Sequence, residues 1–190
     1  MGFVDDGERI EVPDAATWRA WLEDNHATSK GAWLVRARPG SGLQVVEYED
    51  AIRQALCFGW IDGPARSFDE VRGGLWFTPR RPASGWAATN KARVAILEAE
   101  GLLAEAGIRA IALAKANGSW SVLDGAEAGI DPPDLIAALD ANPTARANWD
   151  GFSLSARKYG LQQIALAKRP ETRAARIAKI VAGAAEGRRP

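Results

Sequence analysis

Beyond Ser84 the sequence carries helical punctuation and little else, which confines any sheet to the first half of the chain. Helical segments are predicted near 85–100, 104–117, 132–141, 143–150, 154–168 and 170–185. They are separated by Gly101, "NGSW" (117–120), "DPPD" (131–134), "NP" (142–143) and "RP" (169–170). Proline suits the first turn of a helix, where its missing N–H has no partner to lose. Before Ser84 two periods alternate. "RIEV" (9–12) reads as a short strand, and Asp14 as the N-cap of a helix whose Trp18, Trp21 and Leu22 form a buried i, i+3, i+4 stripe. "GAWLVRAR" (31–38) alternates as a strand does, and "PGSG" turns the chain. Tyr48, Ala51, Ile52, Ala55 and Leu56 then make a 3.6-period face that Gly59 can end in a left-handed conformation. Short extended pieces follow: "WID", "ARSFD", a turn at Gly73–Gly74, and "LWFTPRR".

The fold class this predicts is α+β with more helix than strand. A small N-terminal α/β lobe (1–84) carries the GWID and TPR motifs, and a mainly helical lobe (85–190) packs with it as one unit. The sheet is built from residues near 31–38 and 74–78.

A chain of 190 residues with 47% hydrophobic content can bury a substantial core. No window approaches the roughly 18 apolar residues of a membrane span, and the acidic N-terminus has no signal-like apolar run, so the expected location is the cytoplasm. One cysteine and one histidine exclude an internal disulfide, a thiolate cluster and a multi-imidazole zinc site, so no metal and no cofactor is expected. Charge is uneven: residues 157–190 hold nine Lys or Arg against two Asp or Glu. Arg169, Arg173 and Arg176 share one stripe of the last helix, opposite Ile177, Ile180, Val181 and Ala184. That is a solvated face, or else an arm for nucleic acid or membrane.

Aromatic rings, an arginine and hydroxyl groups crowd between Cys57 and Asn90. Asp62 either accepts backbone N–H bonds in an Asp-Gly turn or faces a cleft. Arg80, set by rigid Pro79, either pairs with Asp62 or forks onto a ligand anion. Ser84 is placed to cap the next helix or to help bind an anion at its N-terminus. Asn90, on the face of Val94 and Leu97, needs a partner from protein or ligand. Trp60, Asp62, Trp76, Arg80, Ser84, Trp86 and Asn90 together would make a pocket with aromatic walls for a small anionic or amphipathic ligand. The opposing reading is a Trp-rich core around a buried Asp–Arg pair. Catalytic readings are thinner. Cys57 with His26 shares no spacing signature, Asp62 with Asp69 has no geometry from sequence, and no GxGxxG, Walker loop or nucleophile elbow occurs.

"ALCFGWIDG", "FTPRR", "SGWAATNKARVAILEAEGLL", "NGSW" and "RPETRAARIAKIV", in that order from about Trp18 to Val181, resemble the YdeI/OmpD-associated (bacteriocin-protection) family. Members read more like "TPRRKGSNWS" where this chain has "TPRRPASGWA". Gly85 and Ala87 thus replace small polar residues, and Arg80, Ser84, Trp86 and Asn90 remain as the matching set. The resemblance implies no reaction. The family name records an association with envelope-stress or bacteriocin protection; with the residues above, the expected role is non-catalytic binding of a small molecule or a protein partner. The alternatives are an enzyme using Asp62 and Arg80, and a basic-helix adaptor.

Overall fold

The computed structural model describes residues 7–190, so the acidic Asp5 and Asp6 lie outside the described residues. It is α+β, with 51% helix and 13% strand. Two compact units are distinguished. The first comprises the chain up to Ser84 together with Thr89–Asn117; the second comprises Gly85–Ala88 and Gly118–Pro190.

The first unit is built on a four-stranded sheet of β1 (Arg9–Ile10), β2 (Ala32–Ala37), β3 (Trp60–Ser67) and β4 (Arg72–Pro79), in the order β1-β2-β4-β3. β1 runs parallel to β2, and the other pairings are antiparallel. "WID" and "ARSFD" prove to be one strand, bent by a bulge between Asp62 and Ala65 where "GP" interrupts the ladder. The hairpin turn lies at Asp69–Val71, not at Gly73–Gly74. Asp69 Oδ1 accepts the Val71 and Arg72 amides at 3.0 and 2.8 Å and so makes the turn. Gly74 stays in the strand because the Phe68 ring lies over it; a Cβ there would stand 2.4 Å from Phe68 Cζ.

Among its described residues this unit also holds α1 (Ala15–Asn25), α2 (Tyr48–Cys57), α3 (Ala88–Ala99, from Thr89 onward) and α4 (Glu105–Ala116). Asp14 caps α1 as expected, its Oδ1 accepting the Thr17 amide at 2.8 Å. Trp18 and Leu22 are wholly buried, and the Trp18 indole donates to the Ala51 carbonyl at 3.1 Å, tying α1 to α2. Gly59 ends α2 at φ +73° and frees the chain to turn directly into β3. Cys57, the residue before Phe58, offers its carbonyl to the Ala104 amide at 3.0 Å and anchors the start of α4.

The second unit is all helix: the single turn α5 (Asp124–Glu127), then α6 (Pro133–Asp140), α7 (Pro143–Gly151), α8 (Leu154–Ala165) and α9 (Pro170–Ala185). Proline opens α6, α7 and α9, and Asn142 caps α7 through a 3.1 Å bond from the Ala145 amide. Leu135, Leu139, Trp149, Leu161, Ile164 and Ile177 form its core. Among the described residues no helix is long and apolar enough to cross a membrane.

Candidate functional site

Strand alternation decides which of the seven sequence-selected residues can meet. Directly opposed residues of an antiparallel pair point to the same face, and neighbours along a strand point to opposite faces. Asp62 is paired with Phe77 and Trp60 with Pro79, so Trp60, Asp62 and Phe77 share a face. That face is covered by α1: Trp18 lies 5.5 Å from Phe77, stacks on Trp21 at 5.1 Å, and Trp21 meets Trp60 edge-on at 5.8 Å. Trp76, one residue from Phe77, is paired with Trp33 and occupies the other face, where their rings cross at 5.4 Å beside Phe68. Trp76 and Asp62 therefore stand on opposite sides of the sheet. Trp86 falls in the second unit, where it packs 4.9 Å from Trp120. Trp60, Trp76 and Trp86 are all buried, at 1%, 4% and 2% exposure, which is the condition of core residues and not of open pocket walls.

Ser84 does not cap the following helix, which starts four residues later at Ala88. Its amide closes a turn on the Arg81 carbonyl at 2.9 Å, and residues 84–87 stay outside the helix.

The polar members of the set all fall in the first unit, where Asp62, Arg80 and Asn90 have neighbours the sequence did not announce. Asp62 is half-buried, and among the described residues its carboxylate accepts one side-chain hydrogen bond, a long one of 3.4 Å from the Tyr48 hydroxyl. Burial, with Asp62 second, raises the Tyr48 pKa, so the phenol stays a donor. The Arg36 guanidinium lies 5.4 Å from the Tyr48 ring centroid. Arg80 leaves β4 with its amide bonded to the Gly59 carbonyl at 3.0 Å, which brings "TPRR" beside "GWID". Its Nε and Nη1 are shut off from water. Burial lowers its pKa to about 10, with the Asp62 charge pulling the other way. No ion pair within 4.0 Å joins Arg80 to Asp62 among the described residues, so the carboxylate acts on it through space. Arg93, on α3, forks onto Glu49 at 2.8 and 2.7 Å and gives its third nitrogen to Asn90 Oδ1 at 2.9 Å. The polar Asn90 on an apolar face is thus answered by protein. Arg93 is also raised in pKa, first by Glu49 and more weakly by Tyr48 and Asp62.

The remaining catalytic pairs do not assemble. Asp69 makes the hairpin turn, seven residues and on the order of 20 Å of extended strand from Asp62. His26 Nδ1 lies 2.9 Å from the Leu22 carbonyl oxygen, and its ring packs on Phe58. Cys57 is fully buried, and burial raises its pKa above the usual thiol value, with Arg19 and Arg53 opposing. We expect the native thiol to resist a bulky maleimide at pH 8 and to react once denaturant is added; rapid labelling of the folded chain would contradict this burial.

The basic stripe of α9 is partly tied down. Arg173 forks onto Asp134 at 2.6 and 2.8 Å and donates to the Ile164 carbonyl, and Arg176 donates to the Gln163 carbonyl. Among the described residues no three His, Cys, Asp or Glu side chains converge as a metal would require.

Residues 10–110, just over half of the 190, match the family model described as "Domain of unknown function (DUF8412)". The chain belongs to this family. Residues 130–187 match a second model, "Bacteriocin-protection, YdeI or OmpD-Associated", so the YdeI/OmpD-associated resemblance holds over the C-terminal segment. The motifs "GWIDG", "FTPRR" and "SGWAATN" fall in the first matched stretch, and "RPETRAARIAKIV" in the second. No curated protein matches the chain, and no solved structure does.

Proposed function

We propose that the chain is a non-catalytic binding protein associated with bacteriocin protection and envelope stress. Its first unit would take a small ligand through Asp62, Tyr48 and Arg80. The carrying observation is Asp62: a half-buried carboxylate that, among the described residues, receives a single long side-chain hydrogen bond while two arginines act on it through space. Spare acceptor capacity in such a place favours a ligand that brings its own donor. Arg80, on whose charge Asp62 acts, places a cation beside the carboxylate, so a ligand carrying both a donor and an anionic group suits the pair. The match to the bacteriocin-protection model supports the role, and the burial of Cys57 together with the engagement of His26 by the Leu22 carbonyl favours binding over thiol catalysis.

The probe for this site is 3-hydroxybenzoate, which carries an anion, a ring and a hydroxyl donor, with benzoate as its hydroxyl-free partner. Calorimetric titration is expected to give about tenfold tighter binding for 3-hydroxybenzoate, the scale of one hydrogen bond to a charged acceptor. Asp62→Asn should erase that preference. Equal affinities in the parent chain, or no binding of either probe, would defeat the proposal.

A further inference from the structure

The second unit holds a cavity of about 390 Å3 between the C-terminal half of α8, the middle of α9 and the closing residues of the chain. That volume lies within the roughly 300–1,000 Å3 of small-molecule sites. Four cations line it, Arg176, Lys179, Arg188 and Arg189, and no Asp or Glu does. Apolar surface comes from Ile180 and from Tyr159, which is 58% exposed.

The cations are placed by backbone geometry. After α9 the chain folds back, the Gly187 and Arg188 amides bonding the Ala184 and Gly183 carbonyls at 2.9 Å each, so Arg188 and Arg189 return beside the helix they have just left. Arg176 is oriented by the bond from its Nη1 to the Gln163 carbonyl, which leaves its other N–H groups unused among the described residues. Arg188 is paired with the exposed Glu186 at 2.6 Å. Lys179 and Arg189 form no ion pair among the described residues. One turn earlier on the same helix Arg173 is neutralised by Asp134, so the unanswered charge collects at the cavity and not along the whole stripe. Like charges held around a concave, partly apolar wall focus an attractive field on anions.

We propose that this cavity binds a small phosphate-bearing molecule, its phosphate among Arg176, Lys179 and Arg189 and its apolar body against Tyr159 and Ile180. Arginine supplies planar forks and lysine a compact point charge, a combination suited to a doubly charged tetrahedral anion. The site is independent of the one in the first unit.

The test uses the full chain with phenyl phosphate, inorganic phosphate and a short oligothymidylate, read by calorimetry and by amide shifts of Gly160 and Gly183. Phenyl phosphate is expected to bind more tightly than inorganic phosphate. Its affinity should rise between pH 5 and pH 7.5 as the ester loses its second proton near about pH 6. Lys179→Ala and Arg189→Ala should each weaken it about tenfold with the melting temperature unchanged, whereas Arg169→Ala, outside the cavity, should not. Absence of phenyl phosphate binding, or equal loss with Arg169→Ala, would overturn the proposal. Oligothymidylate binding that phenyl phosphate does not displace would overturn it too, in favour of a nucleic-acid surface.

Discussion

Replacing Trp60 by alanine is expected to cost about 3–5 kcal/mol of folding stability, the range for removing a large buried aromatic side chain. The indole is 1% exposed, meets Trp21 edge-on at 5.8 Å, and donates Nε1 to the His26 carbonyl at 3.3 Å. Alanine would empty that volume and strand the carbonyl. Trp60→Phe keeps much of the ring packing and should cost markedly less, mainly the lost hydrogen bond, about 1 kcal/mol. Urea unfolding followed by near-UV circular dichroism separates the two variants. A pocket wall could be truncated with little change in the midpoint; a midpoint unmoved by Trp60→Ala would therefore return this residue to the ligand.

Trp149→Ala should be at least as damaging, at about 3–5 kcal/mol for the ring and about 1–3 kcal/mol more for the group it leaves behind. Trp149 is wholly buried among Leu135, Leu139, Leu161 and Ile164, and its Nε1 bonds Asp131 Oδ2 at 2.9 Å. The other carboxylate oxygen, Asp131 Oδ1, is already buried without a hydrogen bond. Losing the indole would leave neither oxygen with that side-chain donor. Adding Asp131→Ala to Trp149→Ala should recover part of the loss, since residues in one bonded pair are not additive. If the double variant is less stable than the single one, the carboxylate contributes something other than this bond.

The helical half was legible because its breakers are local. Proline at the start of α6, α7 and α9 and the helix-ending Gly59 act within a turn of where they stand. The start of α3 differs from the reading at Ser84 because a small hydroxyl residue is a cap only if the chain turns helical there, and residues 84–87 do not. Gly73–Gly74 resembled a turn for a related reason: glycine marks close approach as well as reversal, and Phe68 over Gly74 is a tertiary fact. The site divided along the same line. Asp62 and Arg80 were visible because their motifs flank one hairpin. Trp76 was misassigned because a difference of one residue in pleat parity sends it to the opposite face. Tyr48 was counted into the apolar stripe of α2 although its hydroxyl reaches Asp62, and Glu49 with Arg93, 44 residues apart, left no local signal.

The most direct measurement is the 3-hydroxybenzoate titration repeated on Arg80→Lys and Arg80→Ala, with the urea midpoint taken on the same samples. Lysine keeps the charge and loses the fork, so affinity should fall severalfold with Arg80→Lys and by more than tenfold with Arg80→Ala, while both midpoints stay close to that of the parent. A midpoint that collapses with Arg80→Ala while the parent chain takes up no 3-hydroxybenzoate would contradict the account and make "GWID" and "TPRR" architecture alone.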